Sequence, residues 1–583
     1  MITPNLSLDI SFFFIAVFVY LLGRAIWQDP EISLDREIMR RFFDKAKSFV
    51  DDNDFPGKDQ ASKFISQQQQ QQGGGGGGQQ PLQPGQPPAG GIQPPSPADV
   101  TRYRYHHGAN FGSLFILERW LCGHMFPEGS EGSSERAAVK AWVKKEGTDA
   151  TRERFEKHWN EWIRDSDLQW LRDNKCTTIR LPIGYFTLGP AYCKDTAFEK
   201  YSAVYENAWE AVKKLIHRCH SHGIGVVIDL HGLPGGANAQ DHSGTNSGKA
   251  EFWSTRSYRE LGTRCLCFIA HQSRNMEGVA GLQIINEAEW DAKGMYDWYD
   301  SAIAEISKVD PTMPVYVSDA WDLNRCLEWS QKKNSPRNAP GCPVVVDTHY
   351  YWCFSDADKQ KTPQQISQEV WHKMGPLDGK AGSVIDRGAA QVIVGEYSCV
   401  LSDPTWENGG GKNEDLVRQF GNAESGRFQQ KAGGTFFWTY RMDWMDGGEW
   451  GFKQMTDCHA IVPPQALTVH DVNERIQHAQ QGMEQAKHTA FSNHAGYWDS
   501  QGGHYEHQRF ADGWDIGFHD AMSFFGMRGQ QSGGHLGGGD KIGMLDIWVL
   551  KRMRESGQGG GFVWEWEQGF RQGVSGFCHL AGI

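Results

Sequence analysis

The sequence has no cluster of lysine and arginine. Its 58 basic side chains are outnumbered by 71 acidic ones, leaving a formal charge of −13. A chain of that sign without a basic patch is not built to hold a nucleic-acid backbone, so nucleic acid is excluded as a partner. Nor is there a Cys-x-x-Cys pair among the twelve cysteines. Cys265 and Cys267 stand close together but no second pair lies at metal-site spacing. Cys219 is crowded by His217, His220 and His222 in KKLIHRCHSHG, yet the glycine at 223 reads as a helix stop, making this stretch the polar end of a helix. No metal and no cofactor is expected. No Gly-x-Gly-x-x-Gly follows the first apolar run, which weighs against a doubly wound dinucleotide-binding sheet.

Long apolar runs are missing too. The stretch from Ile10 to Leu22, ISFFFIAVFVYLL, has thirteen residues, short of the roughly 20 that span a bilayer. No basic residue precedes it and no small-residue cleavage site follows. Past Asn5 there is no Asn-x-Ser/Thr acceptor, whereas exported eukaryotic proteins of this size usually carry several on their loops. Met39 opens the amphipathic stretch MRRFFDKAKSFV. The expectation is therefore that Met39 is a real or alternative start and that residues 1–38 are a gene-model extension or a signal anchor. A cytoplasmic location is favoured; export or membrane anchoring through residues 10–22 is the alternative. No protein partner is inferable.

What the chain does have is a Gln/Gly/Pro tract, a barrel-like pattern and many aromatics. The tract begins near residue 67 with QQQQQQGGGGGG and cannot bury a core, so residues 67–100 are expected to be a flexible linker between a short helix at 39–66 and the rest. Beyond it, eight apolar runs alternate with helical patterns: GANFGS (108–113), CTTIRLPIGY (176–185), GIGVVIDLHG (223–232), GVAGLQIINE (278–287), MPVYVSDA (313–320), CPVVVDTHYY (342–351), AQVIVGEYS (390–398) and GGTFFWTYR (433–441). Near-continuous apolar strands separated by helices indicate a parallel sheet covered on both faces. Eight such units predict a (β/α)8 barrel over residues 101–457.

Residues 458–583 exceed what a barrel needs. Trp514, Gly517, Phe518 and Phe525 recur as Trp566, Gly569, Phe570 and Phe577, with the same spacing. The three aromatics of each repeat share one helical face, which predicts a small helical extension packed on the barrel. An aromatic sugar- or partner-binding module is the sharper alternative.

In such a barrel the chemistry sits at the C-terminal strand ends. Those ends deliver Arg180, His231, Asn286 with Glu287, His349 with Tyr351, Glu396 and Trp438. Two glutamates about a hundred residues apart, each closing an apolar run, suit cleavage of a glycosidic bond, which takes two carboxyl groups in different protonation states. Arg180 and a Tyr351 hydroxyl beside Glu396 would keep it ionised, as a nucleophile. The nearby charge of Glu396 would raise Glu287 and make it the acid, then the base. Asn286 can donate to the sugar 2-hydroxyl and Trp438 can form the floor under the ring. The 23 Trp and 17 Tyr fit such a ligand, since their faces suit the apolar faces of sugar rings.

The long motifs GANFGSLFILERW, TTIRLPIGY, IDLHGLPGGANAQDHSG, LQIINEAE, VVDTHYY, VGEYSCVLSDPTW and FFWTYRM carry a resemblance over about residues 105–455. The chain resembles the retaining (β/α)8 glycosidases of glycoside hydrolase family 5, and within them the fungal exo-β-1,3-glucanases. The resemblance implies Glu287 as acid/base and Glu396 as nucleophile. It also implies Glu118, Arg180, His231, Asn286, His349, Tyr351 and Trp438 around the reactive sugar, with Asp241 in a loop shaping the pocket. Of two phenylalanines that clamp the sugar at the mouth in that family, Phe354 matches one; Gln240 stands at the other. Ala288-Glu289-Trp290 follows the acid/base where the family usually has proline. The expected substrate is a β-glucan, oligosaccharide or glucoside, cleaved exo-β-1,3-glucanase-style. The alternatives are a β-glucosidase for a small glucoside or glycolipid, or a catalytically silent carbohydrate-binding barrel.

Overall fold

The computed structural model describes residues 92–380, 384–531 and 537–583. The hydrophobic run at 10–22, the Met39 helix and the Gln/Gly/Pro tract up to residue 91 lie outside the described residues. Among those described, no helix is long and apolar enough to cross a membrane.

A helix lies inside the stretch expected to be linker. Helix α1 spans Pro97–Tyr103. The Ser96 hydroxyl accepts from the Asp99 N–H, and the Asp99 carboxylate accepts from the Ser96 N–H, while Pro97 supplies a preset φ at the first helical position. This reciprocal cap corrects the linker boundary: a proline that reads as linker composition is here a helix start. Val100 and Tyr103 are buried at its inner face.

Eight parallel strands follow: β1 His106–Ala109, β2 Thr178–Gly184, β3 Gly225–Gly232, β4 Val279–Gln283, β5 Val315–Ser318, β6 Val344–Tyr350, β7 Val392–Tyr397 and β8 Gly434–Phe437. They pair in the order β1-β8-β7-β6-β5-β4-β3-β2. A parallel bridge between Asn110 and Arg180 joins the two ends and closes the barrel. All eight expected strands are present; β1 begins two residues earlier than its apolar run, because its start pairs with Gly434 of β8. The Cys219 helix, α2, spans Ala208–Ser221. Its core face carries Val212, Leu215, Ile216 and Cys219, while His217 points to solvent. It ends at Gly223, whose φ of +74° suits glycine.

Four further helices build the C-terminal extension: α3 Val472–Gln501, α4 Gln508–Gln531, α5 Leu545–Glu555 and α6 Val563–Ala581. They do more than lie on the barrel. Met544, Trp548, Trp566 and Phe570 form one apolar cluster with Val227, Ala280, Tyr316, Val345, Ile393 and Phe436, residues of six different strands. With Tyr103 of α1 they plug the end of the barrel opposite the strand C-termini. Asp520 fixes α5 by accepting from Trp548 and bidentately from Arg552, and Arg104 at the end of α1 pairs with Asp540.

The repeated motif is explained by a close helix pair. Trp514, Phe518, Phe525, Trp566, Phe570 and Phe577 are each at most 1% exposed, so they are core and not a binding platform. The glycines between them allow backbone contact. A Cβ on Gly517 would lie 2.1 Å from the Phe570 carbonyl, and one on Gly569 2.0 Å from the Phe510 carbonyl. Gly513 and Gly573 are as tight against the Trp566 and Trp514 carbonyls. We expect Gly517→Ala to force α4 and α6 apart and destabilise by about 1–3 kcal/mol, outweighing a helix-propensity gain of about 1 kcal/mol. Gly496→Ala, on an exposed face of α3 with open space around it, should stabilise slightly. Thermal unfolding of the two variants checks the opposite signs.

Candidate active site

The barrel interior becomes polar above the plug. His106 bridges the Thr178 and Tyr316 hydroxyls. One level higher, Arg180 of β2 is fully buried. Its Nε donates to Gln283 Oε1 at 2.7 Å, Nη1 to Asn110 Oδ1 at 2.8 Å and to Glu396 Oε1 at 2.9 Å, and Nη2 to Asn286 Oδ1 at 2.6 Å. Asp229 Oδ2 lies 3.0 Å from Nη2. Five carboxylate and amide partners, on or just after four strands, thus share one planar cation, and the Arg180 charge is held above its ordinary range despite burial, by Asp229, Glu396 and Asp347.

Glu396 reaches this layer because β7 is irregular. The register of β6 against β7 shifts between Thr348 and His349, which sets His349 opposite Glu396. The second Glu396 oxygen accepts from the Tyr351 hydroxyl at 2.8 Å. Burial pushes the Tyr351 phenol well up, with the Glu396 and Glu287 charges adding to it, so it remains a donor. The two contacts expected for Glu396 are therefore both present.

Glu287 follows β4, with a left-handed φ of +40°, a backbone conformation costly for a glutamate and concentrated at functional sites. Its Oε1 accepts from His349 Nδ1 at 2.9 Å, and its Oε2 lies 3.2 Å from His242 Nε2. Burial pushes the Glu287 carboxyl up, but the hydrogen bonds and charge of the two imidazoles outweigh it and hold it well below the ordinary carboxylate range. This corrects the expectation that the charge of Glu396 would keep Glu287 protonated. The shift at His349 is opposite: burial lowers its imidazole, yet Glu396, Asp347 and Glu287 around it hold it well above an ordinary imidazole.

The remaining expected residues fall around this centre. His231 Nε2 accepts from Asn286 Nδ2 at 3.2 Å, and its Nδ1 is oriented by Asp229 Oδ2 at 2.7 Å. Trp438 is stacked on His231, with ring centroids 6.1 Å apart. Glu118 is buried; burial pushes its carboxyl up, while one oxygen accepts from Trp120 Nε1 at 2.9 Å. Asp241 heads a one-turn helix, Asp241–Ser243, but it is the next residue, His242, that reaches Glu287. Phe354 is 66% exposed and stands against Tyr351 and Trp450; Gln240 is exposed.

Sequence reasoning missed His242, Asn110, Gln283 and the aspartates Asp229 and Asp347. The aspartates had a signal. Asp229-Leu230-His231 and Asp347-Thr348-His349 repeat Asp-x-His on two strands, and residues i and i+2 share a face. Each aspartate bonds its histidine. Missed as well was the aromatic wall of Trp120, Trp444 and Trp450 beside Tyr351.

Three groups of donors among the described residues converge closely enough to ligate a metal: Glu287, His349 and Glu396; His494, His507 and Glu565; Cys122, His124 and His158. Each group is joined to protein partners by hydrogen bonds, such as Tyr351 on Glu396 and the Glu506 N–H on Glu565. No metal role is assigned to them.

The family profile of cellulase, glycosyl hydrolase family 5, matches residues 143–433. That of the glucan 1,3-beta-glucosidase 3 C-terminal domain matches residues 479–581. A glucan 1,3-beta-glucosidase 3 from Schizosaccharomyces pombe is 32% identical over 81% of this chain and 94% of its own length. The chain belongs to glycosyl hydrolase family 5. It is an O-glycosyl hydrolase of (β/α)8 architecture. An uncharacterized glycosyl hydrolase of Saccharomyces cerevisiae is 31% identical over 82% of this chain and 92% of that protein. A rutinosidase structure from Aspergillus niger aligns with 62% of this chain and 99% of its own, at 15% identity and a TM-score of 0.48.

Removing Arg180 strands three buried carboxylates. Arg180→Met should destabilise the protein by about 3–5 kcal/mol in denaturant unfolding, and adding Asp229→Asn should recover part of that loss.

Proposed function

We propose that this enzyme hydrolyses terminal β-1,3-glucosidic bonds of a glucan or its oligosaccharides with retention of configuration. Glu396 attacks the anomeric carbon and forms a glycosyl ester. Glu287 protonates the leaving oxygen and then takes a proton from the water that opens the ester. The observation that carries this reading is spacing: ligand oxygens of Glu287 and Glu396 lie within 4.8 Å of each other. Retention needs carboxyl groups about 5–5.5 Å apart, whereas inversion needs about 6.5–9.5 Å. Arg180 and Tyr351 keep Glu396 aligned for attack. Asn286 supports the 2-hydroxyl, a contact that strengthens as the oxocarbenium ion develops. Trp438 forms the floor of the sugar site, and Glu118, His231 and Asp241 serve its other hydroxyls. The Schizosaccharomyces pombe relative, matched over 94% of its length, supports the β-1,3-glucan assignment.

A silent binding barrel is disfavoured because both carboxylates and their partners are in place. A small glucoside or glycolipid as substrate is the second reading. It is favoured by exposed Gln240, a polar residue at the mouth where an aromatic clamp would hold a glucan chain, and by the exposed Trp290 and Trp321.

Glu396→Ala should abolish turnover, by about 10⁴-fold or more. Glu287→Ala should retain measurable turnover only of substrates with good leaving groups. Both are read by glucose release from laminarin oligosaccharides and from aryl β-glucosides. Wild-type protein should release glucose from laminarin ends; activity confined to small glucosides or glucosylceramide would favour the second reading, and near-normal hydrolysis by Glu396→Ala would contradict the assignment.

A further inference from the structure

Glu287 carries two imidazoles, and they are not equivalent. His349 is enclosed by fixed negative charge: Nε2 bonds Asp347 at 3.0 Å, Nδ1 bonds Glu287 at 2.9 Å, and Glu396 lies 3.6 Å from that same Nδ1. A proton there is held in place. His242 has one close carboxylate partner, Glu287, and its side chain is 21% exposed, so it can exchange protons with solvent.

The loop bearing His242 is docked onto the residue it serves. Asn238 Nδ2 donates to the Glu287 carbonyl at 2.9 Å, and Asn238 Oδ1 accepts from the Gln240 N–H. The Ser243 hydroxyl donates to the Gln240 carbonyl, and the Glu289 N–H to the Ala237 carbonyl. Gly244, with a left-handed φ of +89°, ends the turn. Loop geometry therefore fixes the distance between the imidazole and the carboxylate.

Resting on the assignment of Glu287 as acid/base, we propose that His242 is the positioning residue and proton reservoir for Glu287, loading it for protonation of the leaving group. In the first step the His242 Nε2 proton passes to Glu287 Oε2 and on to the glycosidic oxygen as the C1–O bond breaks and the Glu396–C1 bond forms. His242 is left neutral and Glu287 ionised. In the second step water adds to C1, the ester bond to Glu396 breaks, and the water proton returns through Glu287 to His242. No proton is gained or lost over the cycle.

The groups facing His242 are Glu287 after β4, Glu118 after β1, Glu396 of β7 and His231 of β3, whose ring lies 5.4 Å away edge to face. Burial lowers His242, but the hydrogen bond and charge of Glu287, with Glu118 and Glu396 behind it, push it up to about 9. A group whose pKa rises on folding stabilises the protein fully below its unfolded value, near 6.5, and loses that contribution as pH climbs through the folded value. Stability and the proton supply should therefore fall together toward pH 9.

The test is the pH profile of kcat/KM on a laminarin oligosaccharide, a poor leaving group, for the full chain and for His242→Asn. The wild type should show an alkaline limb near pH 9. His242→Asn should lie about 10- to 100-fold lower at neutral pH, mostly in kcat, lack that limb, and converge with the wild type at high pH. Imidazole added to His242→Ala should restore part of the rate. A variant that keeps the wild-type limb, or loses only substrate affinity, overturns the proposal. If the variants do not fold, ¹³C NMR of the wild-type histidines decides: titration of His242 near an ordinary imidazole value also overturns it. Glu287→Gln and Glu396→Gln run alongside; full activity in both would instead sink the carboxylate assignment, whatever His242 does.

Discussion

Everything in this site hangs on the buried guanidinium of Arg180. It is fully enclosed and five-fold bonded, with partners from β2's neighbours on both sides. An arginine has a planar fork of donors, so fixing its plane fixes the positions of Glu396, Asn286, Asn110 and Gln283 together. The cation also makes tolerable the burial of Asp229 and Asp347, which in turn hold His231 and His349. A buried cation is costly to place and gives little net stability, so its presence here is better understood as specificity of arrangement than as a source of folding energy.

That arrangement needs a rigid barrel beneath it, and the C-terminal helices provide its floor. Trp548, Trp566 and Phe570 pack directly onto inward-facing strand residues. The extension is therefore part of the barrel's own core, and the pairing of α4 with α6 through facing glycines sets how those aromatics are presented.

The fold was largely legible because parallel strands buried on both faces leave near-continuous apolar runs, and each of the eight runs overlaps one of the eight strands. Glu396, Glu287 and Tyr351 were legible for a related reason: a polar residue closing such a run lies at the strand end where barrels place their chemistry. Arg180 was expected at such an end too, but it lies inside β2, Thr178–Gly184, in the barrel interior. His242 was not, since it sits on a loop after β3 and its meeting with Glu287 depends on docking across 45 residues of sequence. The protonation of Glu287 was misjudged for the same cause. One neighbouring charge, Glu396, could be inferred from strand order; two imidazole donors could not all be. The cap at Ser96 was hidden by the composition around it.

The central claim is that Glu396 forms a covalent bond to the sugar. The most direct measurement is incubation of the full chain with a 2-deoxy-2-fluoro-β-glucoside bearing a good leaving group, followed by peptide mass spectrometry. The account predicts a stoichiometric fluoroglucosyl adduct on the peptide VIVGEYSC at Glu396, released slowly as activity returns. A labelled peptide containing Glu287 instead, or turnover with no covalent adduct on either glutamate, would contradict it.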